Sequence, residues 1–265
     1  MIRDVQSALT ARGFVPGKID GRVGPKTTEA VKAFQRSRGL VADGVLGPKT
    51  LAALGINRTG FLDRIAFDTW APDAVPGTFD ALETAIRKYP VLAEGRVLDD
   101  WLGQMWVESA GFSTLVENLN YDVVGLRKTF GQHRISDAEC ARYGRRPGHP
   151  ANQEAIANIV YGGEWGRQNL GNTQPGDGWK FRGSGVKQIT GRANTEASGF
   201  TPEELREDIV KSVEASAEFF IDHGCVPLAR LGDITGVTKK VNGGTNGLAL
   251  RTQKTATASK VILPC

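Results

Sequence analysis

Apolar positions recur mostly three or four apart along this chain, the spacing of one helix face rather than of a strand. Near the N-terminus Val5 and Leu9 share a face, as do Val31 and Phe34 in "TTEAVKAFQRSRGL", and "TLAALG" closes on Gly55 as a C-cap. Further on, Phe79, Leu82 and Ile86 mark a helix with Thr78 as its expected N-cap. Leu98, Leu102 and Met105 mark another in "VLDDWLGQMWVES". "TPEELREDIVKSVEASAEFFIDHG" opens with a capping box, Thr201 to Glu204 with Pro202 between, and reads as one helix to Gly224. "SDAECARYG" repeats that design. Strand signals are scarce, "STLVENL" being the one stretch that alternates like a short strand or hairpin. The pattern predicts a mainly α protein whose long Gly-rich loops, such as "YGGEWGRQNLGNTQPGDGW" and "RGSGVKQITG", are the places to look for a site.

An internal repeat divides the chain. "DGRVGPKT" at 20–27 returns as "DGVLGPKT" at 43–50. Gly21 and Gly44 suit turn positions with positive φ, and Pro25 and Pro48 suit the first position of a helix. Residues 1–56 therefore read as a three-helix module, 57–60 ("NRTG") as a linker, and 61–265 as a second, helix-rich domain. Charge sharpens the division. Residues 1–60 hold ten Lys/Arg against four Asp/Glu, whereas the remainder is slightly acidic. A basic module suits an anionic partner: nucleic acid, a membrane surface or a bacterial wall.

The first module resembles the peptidoglycan-binding module of bacterial and phage cell-wall hydrolases, through "VQSALTARGF" and the doubled DGxxGPKT. The motif residues themselves are expected to build turns. The resemblance implies bacterial peptidoglycan as partner and accounts for the charge better than nucleic acid, for which no reader motif is present.

The chemistry of the second domain centres on "WVESAGFSTLVENLNY" and its two glutamates, Glu108 and Glu117. On one continuous helix, nine residues would rotate them to opposite faces. Gly111 in "SAGF" permits a reversal, so Glu117 can return across a cleft from Glu108. Two carboxyls in different environments are what glycoside hydrolysis requires, one to protonate the leaving oxygen and one to act as base or nucleophile. Trp106 and Phe112 are expected to desolvate Glu108 and suit it to the acid role. The spacing alone leaves solvated or salt-bridged glutamates equally open.

Three separated blocks, "WVESAGF…LVENLNYDVVGLRKTF", "NTQPGDGWKFRGSGVKQITGRAN" and "VNGGTNGLALR", resemble glycoside hydrolase family 19, both its chitinases and its lysozyme-like phage endolysins. The resemblance implies a two-lobed, lysozyme-like helical fold, with Glu108 as general acid, Glu117 as general base and Thr190 holding the attacking water. It implies inversion at the anomeric carbon, without a cofactor. Gln188, Asn194 and Asn242 match substrate-binding or orienting positions, and Tyr121, Trp179 and Arg182 are expected cleft-wall residues. The chain departs from the family pattern at Val107, where many relatives have His, at Thr195, and at Asp122, which adds a carboxylate near Glu117.

Other chemistries find less support. His133, His149 and His223 form no metal-binding spacing, and the odd, scattered cysteines Cys140, Cys225 and Cys265 read as reduced thiols. No apolar run reaches the ~18 residues of a membrane span, and the N-terminus lacks the apolar core of a secretory signal. The expectation is a monomeric phage endolysin that cuts between N-acetylmuramic acid and N-acetylglucosamine. It would be held in the host cytoplasm until lysis and then act on the periplasmic wall, without inserting in the membrane. The rivals are a chitinase and a noncatalytic wall-binding protein.

Overall fold

The computed structural model describes residues 2–44, 46, 48–56 and 60–263. The chain divides into two compact units, one running to Phe61 and the other spanning Leu62–Ile262. Most of the expected linker (Asn57, Arg58 and Thr59), as well as Cys265, lies outside the described residues.

In the first unit the helices Ile2–Ala11, Pro25–Ser37 and Pro48–Ala53 enclose Val5, Leu9, Val31, Phe34, Leu51 and Leu54. The repeat has a physical basis in two buried glutamines. Gln6 Oε1 accepts from the Gly21 amide at 2.9 Å, while its amide group donates to Asp20, the Arg22 carbonyl and Thr27. Gln35 does the same one repeat later, accepting from the Gly44 amide at 2.9 Å and donating to Asp43 and Thr50. Gly21 and Gly44 carry φ values of 81° and 77°, so the glycine of each DG turn is required by its backbone. The motif residues fold the module; they are turn-formers.

The second unit is mainly helical. Its axis is the helix Gly95–Glu108, which buries Leu98, Trp101, Leu102 and Met105. The helix Leu248–Ala258 lies against it, and Thr78–Lys88 packs on Ile209–Asp222. A separate apolar core, which includes Leu119, Leu126, Phe130, Ile156 and Val160, gathers the helices Val123–Phe130, Asp137–Tyr143 and Gln153–Val160. A smaller cluster of Ile189, Leu205 and Ala215 is buried as well, and the segments 109–121 and 181–191 meet at the bridge between Val116 and Ser184. No helix among the described residues is long and apolar enough to cross a membrane.

Three local expectations are revised. The helix from Thr201 breaks at Asp208, whose carboxylate caps a second helix by accepting from the Val210 and Lys211 amides. The capping boxes of Thr201 and Ser136 form as the sequence predicts. Thr78 is the first residue of its helix rather than the cap. Gly77 occupies the cap in a left-handed conformation, and the Thr78 hydroxyl donates instead to the Val75 carbonyl at 2.6 Å. The alternating stretch 113–119 pairs only at a bridge, Val116 with Ser184, and Ser184 pairs in turn with Ile189.

Candidate active site

Glu108 is the last residue of the axial helix, and the chain reverses abruptly just beyond it. Ala110, Gly111 and Phe112 all adopt left-handed φ, at 49°, 78° and 60°. The two non-glycine residues are strained there, each at a cost on the order of 1–3 kcal/mol. The reversal is over-determined by hydrogen bonds. The Ser109 hydroxyl accepts from the Phe112 amide at 3.0 Å and donates to the Met105 carbonyl at 2.6 Å, and the Gly111 amide donates to the Trp106 carbonyl at 2.7 Å. The chain then runs back to Glu117.

Glu108 is held from the helix Leu248–Ala258. Arg251 Nη2 donates to Glu108 Oε1 at 2.6 Å, with the two side chains 4% and 10% exposed. The guanidinium is itself fixed, since Nη1 donates to Gln104 Oε1 at 2.7 Å and Nε to the Asn246 carbonyl at 3.1 Å. Gln104 lies one turn before Glu108 on the same face, and its amide group donates to Thr238 at 3.1 Å. The expected apolar wall of Trp106 and Phe112 is replaced by this polar chain. Two residues along a helix is a rotation of about 200°, so Trp106 faces away from Glu108. Its ring nitrogen donates to the Trp70 carbonyl at 3.1 Å, and Phe112 is buried against Phe67 and Trp70.

Glu117 is held differently. Its Oε1 accepts from the Tyr161 hydroxyl at 2.5 Å and its Oε2 from the Gly183 amide at 2.9 Å, while its own amide donates to the Gly183 carbonyl at 2.9 Å. A Cβ at Gly183 would lie 2.7 Å from Gln188 Oε1 and 3.1 Å from Glu117 Cβ, so any larger residue would displace the Gln188 side chain and press on Glu117. Tyr161 is pushed well above the usual phenol range by burial, by the charge of Glu117 and by the hydrogen bond between them, so its hydroxyl remains a donor. Arg134 stands behind Tyr161. It donates to the Val160 carbonyl and its guanidinium lies 5.4 Å from the Tyr161 ring centroid. Asp122 is not a second carboxylate on Glu117; it caps the helix Val123–Phe130 by accepting from the Gly125 amide at 2.6 Å.

The segment 182–190 joins the two carboxylates' surroundings. Arg182 stacks its guanidinium 3.6 Å over the Trp179 ring, donates to the Trp179 carbonyl at 2.8 Å and lies within the electrostatic reach of Glu117. Burial draws Arg182 below the usual guanidinium range. Half-buried Tyr121 is raised above the usual phenol range, chiefly by burial and then by the charge of Glu117. Gln188 has a left-handed φ of 56° and donates to the Gly185 carbonyl at 2.9 Å. Thr190 Oγ1 donates to the Gln188 carbonyl at 3.3 Å, and the Asn194 amide group donates to the Thr190 carbonyl at 2.8 Å. Gln188, Thr190 and Asn194 share the lining of one cavity of 310 Å³. Asn242 is exposed at the end of the helix Ile234–Asn242, next to Val241 on the cavity wall. The arrangement thus gathers Tyr121, Trp179, Arg182 and Gln188 around Glu117, with Thr190 and Asn194 beyond Gln188.

The sequence does not single out Arg251, Gln104, Tyr161 or Gly183. Arg251 ends the third block, "VNGGTNGLALR", but Tyr161 is 44 residues from its partner and has no local signature. Among the described residues no group of three or more His, Cys, Asp or Glu is assembled as a metal site. Cys140 and Cys225 are buried free thiols, and burial pushes the Cys225 thiol up to about 12.

Residues 1–54 match the family described as "Putative peptidoglycan binding domain". A glycosyl hydrolase family 19 domain-containing protein of Haemophilus influenzae is 32% identical over 196 residues, covering 72% of this chain and 92% of its own length. The N-acetylmuramoyl-L-alanine amidase CwlL of Bacillus licheniformis is 49% identical over 59 residues, 20% of this chain and 16% of the amidase. Chitinase C from Streptomyces griseus superposes with a TM-score of 0.50 over 77% of this chain and 94% of its own, at 14% identity, a likeness of fold.

Proposed function

The chain belongs to glycosyl hydrolase family 19, and from that membership we propose that it hydrolyses the β-1,4 bond between N-acetylmuramic acid and N-acetylglucosamine in bacterial peptidoglycan. It is a glycoside hydrolase carrying a module of the peptidoglycan-binding type. A binding module tethers the enzyme to its polymer and raises the local concentration of cleavable bonds. That pairing favours peptidoglycan over chitin as the polymer. The same reading makes the protein a monomeric phage endolysin, released to the wall when the inner membrane fails.

In the proposed mechanism Glu108 is the general acid and protonates the leaving oxygen. Arg251, hydrogen-bonded to its Oε1, stabilises the carboxylate once the proton has passed to the leaving oxygen. Glu117 is the general base. The Tyr161 hydroxyl and the Gly183 amide hold its carboxylate in one orientation toward the attacking water, whose second anchor is the Thr190 hydroxyl. Water attacks from the face opposite the departing sugar, so configuration inverts. An inverting pair needs about 6.5–9.5 Å between its carboxyls to admit that water.

The observation that carries the reading is the contrast between the two carboxylates. One is set against a buried guanidinium at a helix end; the other is gripped by a phenol and a main-chain amide. The test is mass spectrometry of digested peptidoglycan with the wild type, Glu108→Gln and Glu117→Gln. New reducing ends on N-acetylmuramic acid are expected for the wild type, and a loss of at least ~10²-fold for each variant. Cleaved peptide stems, or turnover of chitin with peptidoglycan left intact, would refute the proposal.

A further inference from the structure

Beside the proposed catalytic pair lies a cation that the mechanism does not use. Lys187 is 7% exposed, yet among the described residues it meets no carboxylate and no hydrogen-bond acceptor. Its ammonium rests 4.4 Å from the centroid of the Phe219 ring. Both residues line the 310 Å³ cavity shared with Gln188, Thr190 and Asn194. Burial holds Lys187 below the usual lysine range, and the charge of Glu108 only partly opposes this. The side chain is buried and its residue lines the cavity, so beyond the Phe219 ring the ammonium has no counter-charge bonded to it. A ligand that enters the cavity with an anionic group would supply the missing partner.

The rest of the cavity narrows the ligand. Ile189, Ala215, Phe219 and Val241 give it apolar walls. Asp222 and His223 are exposed and mark its open side, where Asp222 adds a negative charge to that of Glu218, which also lines the cavity and accepts from the Tyr89 hydroxyl. A ligand complementary to this pocket carries a carboxylate, small apolar groups and a distal amine. Polymers of N-acetylglucosamine carry an acetamido methyl on each sugar but neither a carboxylate nor an amine. The peptide stem on N-acetylmuramic acid has all three, in its alanyl methyl, its glutamyl carboxylate and the free amine of its diamino acid.

We propose that this cavity is a recognition site for the peptide stem, with Lys187 pairing the stem carboxylate, and that it sets the preference for peptidoglycan over unsubstituted glycan. The assignment rests on the peptidoglycan reading above. It extends the site from the sugar backbone to its substituent and gives a role to the charged residue of "GVKQIT", which the acid–base chemistry does not use.

The test uses the full-length protein and two glycans, one bearing stems and one stripped of them by an amidase. Lys187→Met is expected to lower the ratio of kcat/KM on stem-bearing to stem-free glycan at least tenfold, through KM. Lys187→Arg, which keeps the cation, is expected to hold that ratio within about threefold of the wild type. Thermal melting of both variants reports whether they fold; an unpaired buried charge replaced by Met should not lower the midpoint. Independently, the tripeptide L-Ala-γ-D-Glu-diaminopimelate titrated into the wild-type protein should perturb the NMR resonances of Lys187 and Phe219 saturably. An unchanged ratio in Lys187→Met, an equal loss on both glycans, or no saturation by 20 mM tripeptide would overturn the proposal. A wild-type enzyme that leaves both glycans intact would instead refute the glycosidase reading itself.

Discussion

Arg251→Met is the sharpest test of how Glu108 is held. The guanidinium is 4% exposed and spends three donors, on Glu108, Gln104 and the Asn246 carbonyl. Methionine fills much of the same volume but donates nothing, so the Glu108 carboxylate, 10% exposed, is left without its counter-charge. Breaking a buried pair from one side costs about 3–5 kcal/mol, because the surviving charge stays desolvated. For a unit of this size each kcal/mol lowers the melting midpoint by roughly 2–4 °C, so a fall of about 6–20 °C is expected. Glu108→Gln is milder, since the neutral amide oxygen still accepts from Arg251 and the guanidinium keeps its other two acceptors. The double variant removes both charges and should be more stable than Arg251→Met alone, with a coupling of about 1.5–3 kcal/mol. Urea denaturation followed by tryptophan fluorescence is the suitable assay. All five tryptophans lie in the unit Leu62–Ile262, so the signal reports that unit and not the first. If Arg251→Met costs less than about 1 kcal/mol, or the single costs add without coupling, the ion pair does not hold Glu108 as described.

Three further outcomes are expected. Tyr161→Phe deletes one hydrogen bond to a charged carboxylate, worth about 1.5–3 kcal/mol, and should lower kcat roughly 10–100-fold with little change in KM; steady-state activity within twofold of wild type would exclude the proposed gripping of Glu117. Asp100 is 2% exposed, and burial pushes its carboxyl up to about 6. Its folded value lies above the unfolded one, so stability is greatest below about pH 4 for this group and declines as pH rises toward 6, by an amount on the order of 1–3 kcal/mol. Asp100→Asn should remove that decline and be the more stable protein at pH 7, which urea titrations at pH 4, 5, 6 and 7 would check. Gly103→Ala sets helix propensity, a gain of about 1 kcal/mol, against packing. The new Cβ would sit 2.5 Å from the Thr255 amide nitrogen and 2.6 Å from its Cα. Backbone cannot rotate aside as a side chain can, so overpacking at the upper end of about 1–3 kcal/mol wins, the helices part and Arg251 moves off Glu108. A lowered melting midpoint together with lost activity is expected, and a raised midpoint at full activity would contradict it.

The parts of the fold legible in the chain are those written locally. The spacing of Leu98, Leu102 and Met105 marks the axial helix, and the boxes at Ser136 and Thr201 form because each is completed within four residues. The repeat marks its own turns, although the glutamines that pin them, Gln6 and Gln35, read as ordinary polar positions on helix faces. The helix break at Asp208 is hidden because the apolar period continues through it while the carboxylate quietly restarts the cap. Around Glu108 local reading fails on direction. Trp106 and Phe112 are near it in sequence, but helical rotation and the reversal turn both into the aromatic cluster with Trp70, and the true partner comes from 143 residues away. No period or cap encodes such a contact.

The places where local rules are broken outright are the informative ones. A rule of thumb puts glycine at left-handed positions, and it finds Gly111. It gives no warning of Ala110 and Phe112, or of Gln188, the three non-glycine residues with positive φ among those described. Two of these lie just beyond Glu108. The third lies in the loop whose Gly183 grips Glu117, and its own side-chain oxygen reaches the space beside Gly183. Each costs on the order of 1–3 kcal/mol, and each persists because hydrogen bonds surround it: Ser109 fixes the first turn, while the Gly185 and Ile189 pairings fix the second. The strain is therefore concentrated on the two segments that aim the carboxylates. A sequence optimised for stability alone would relax these positions to glycine or to a longer turn, and would lose the fixed direction of both acids. That the chain keeps them strained, with the surplus of hydrogen bonds needed to hold them, is a physical reason, independent of resemblance, to look for the chemistry here.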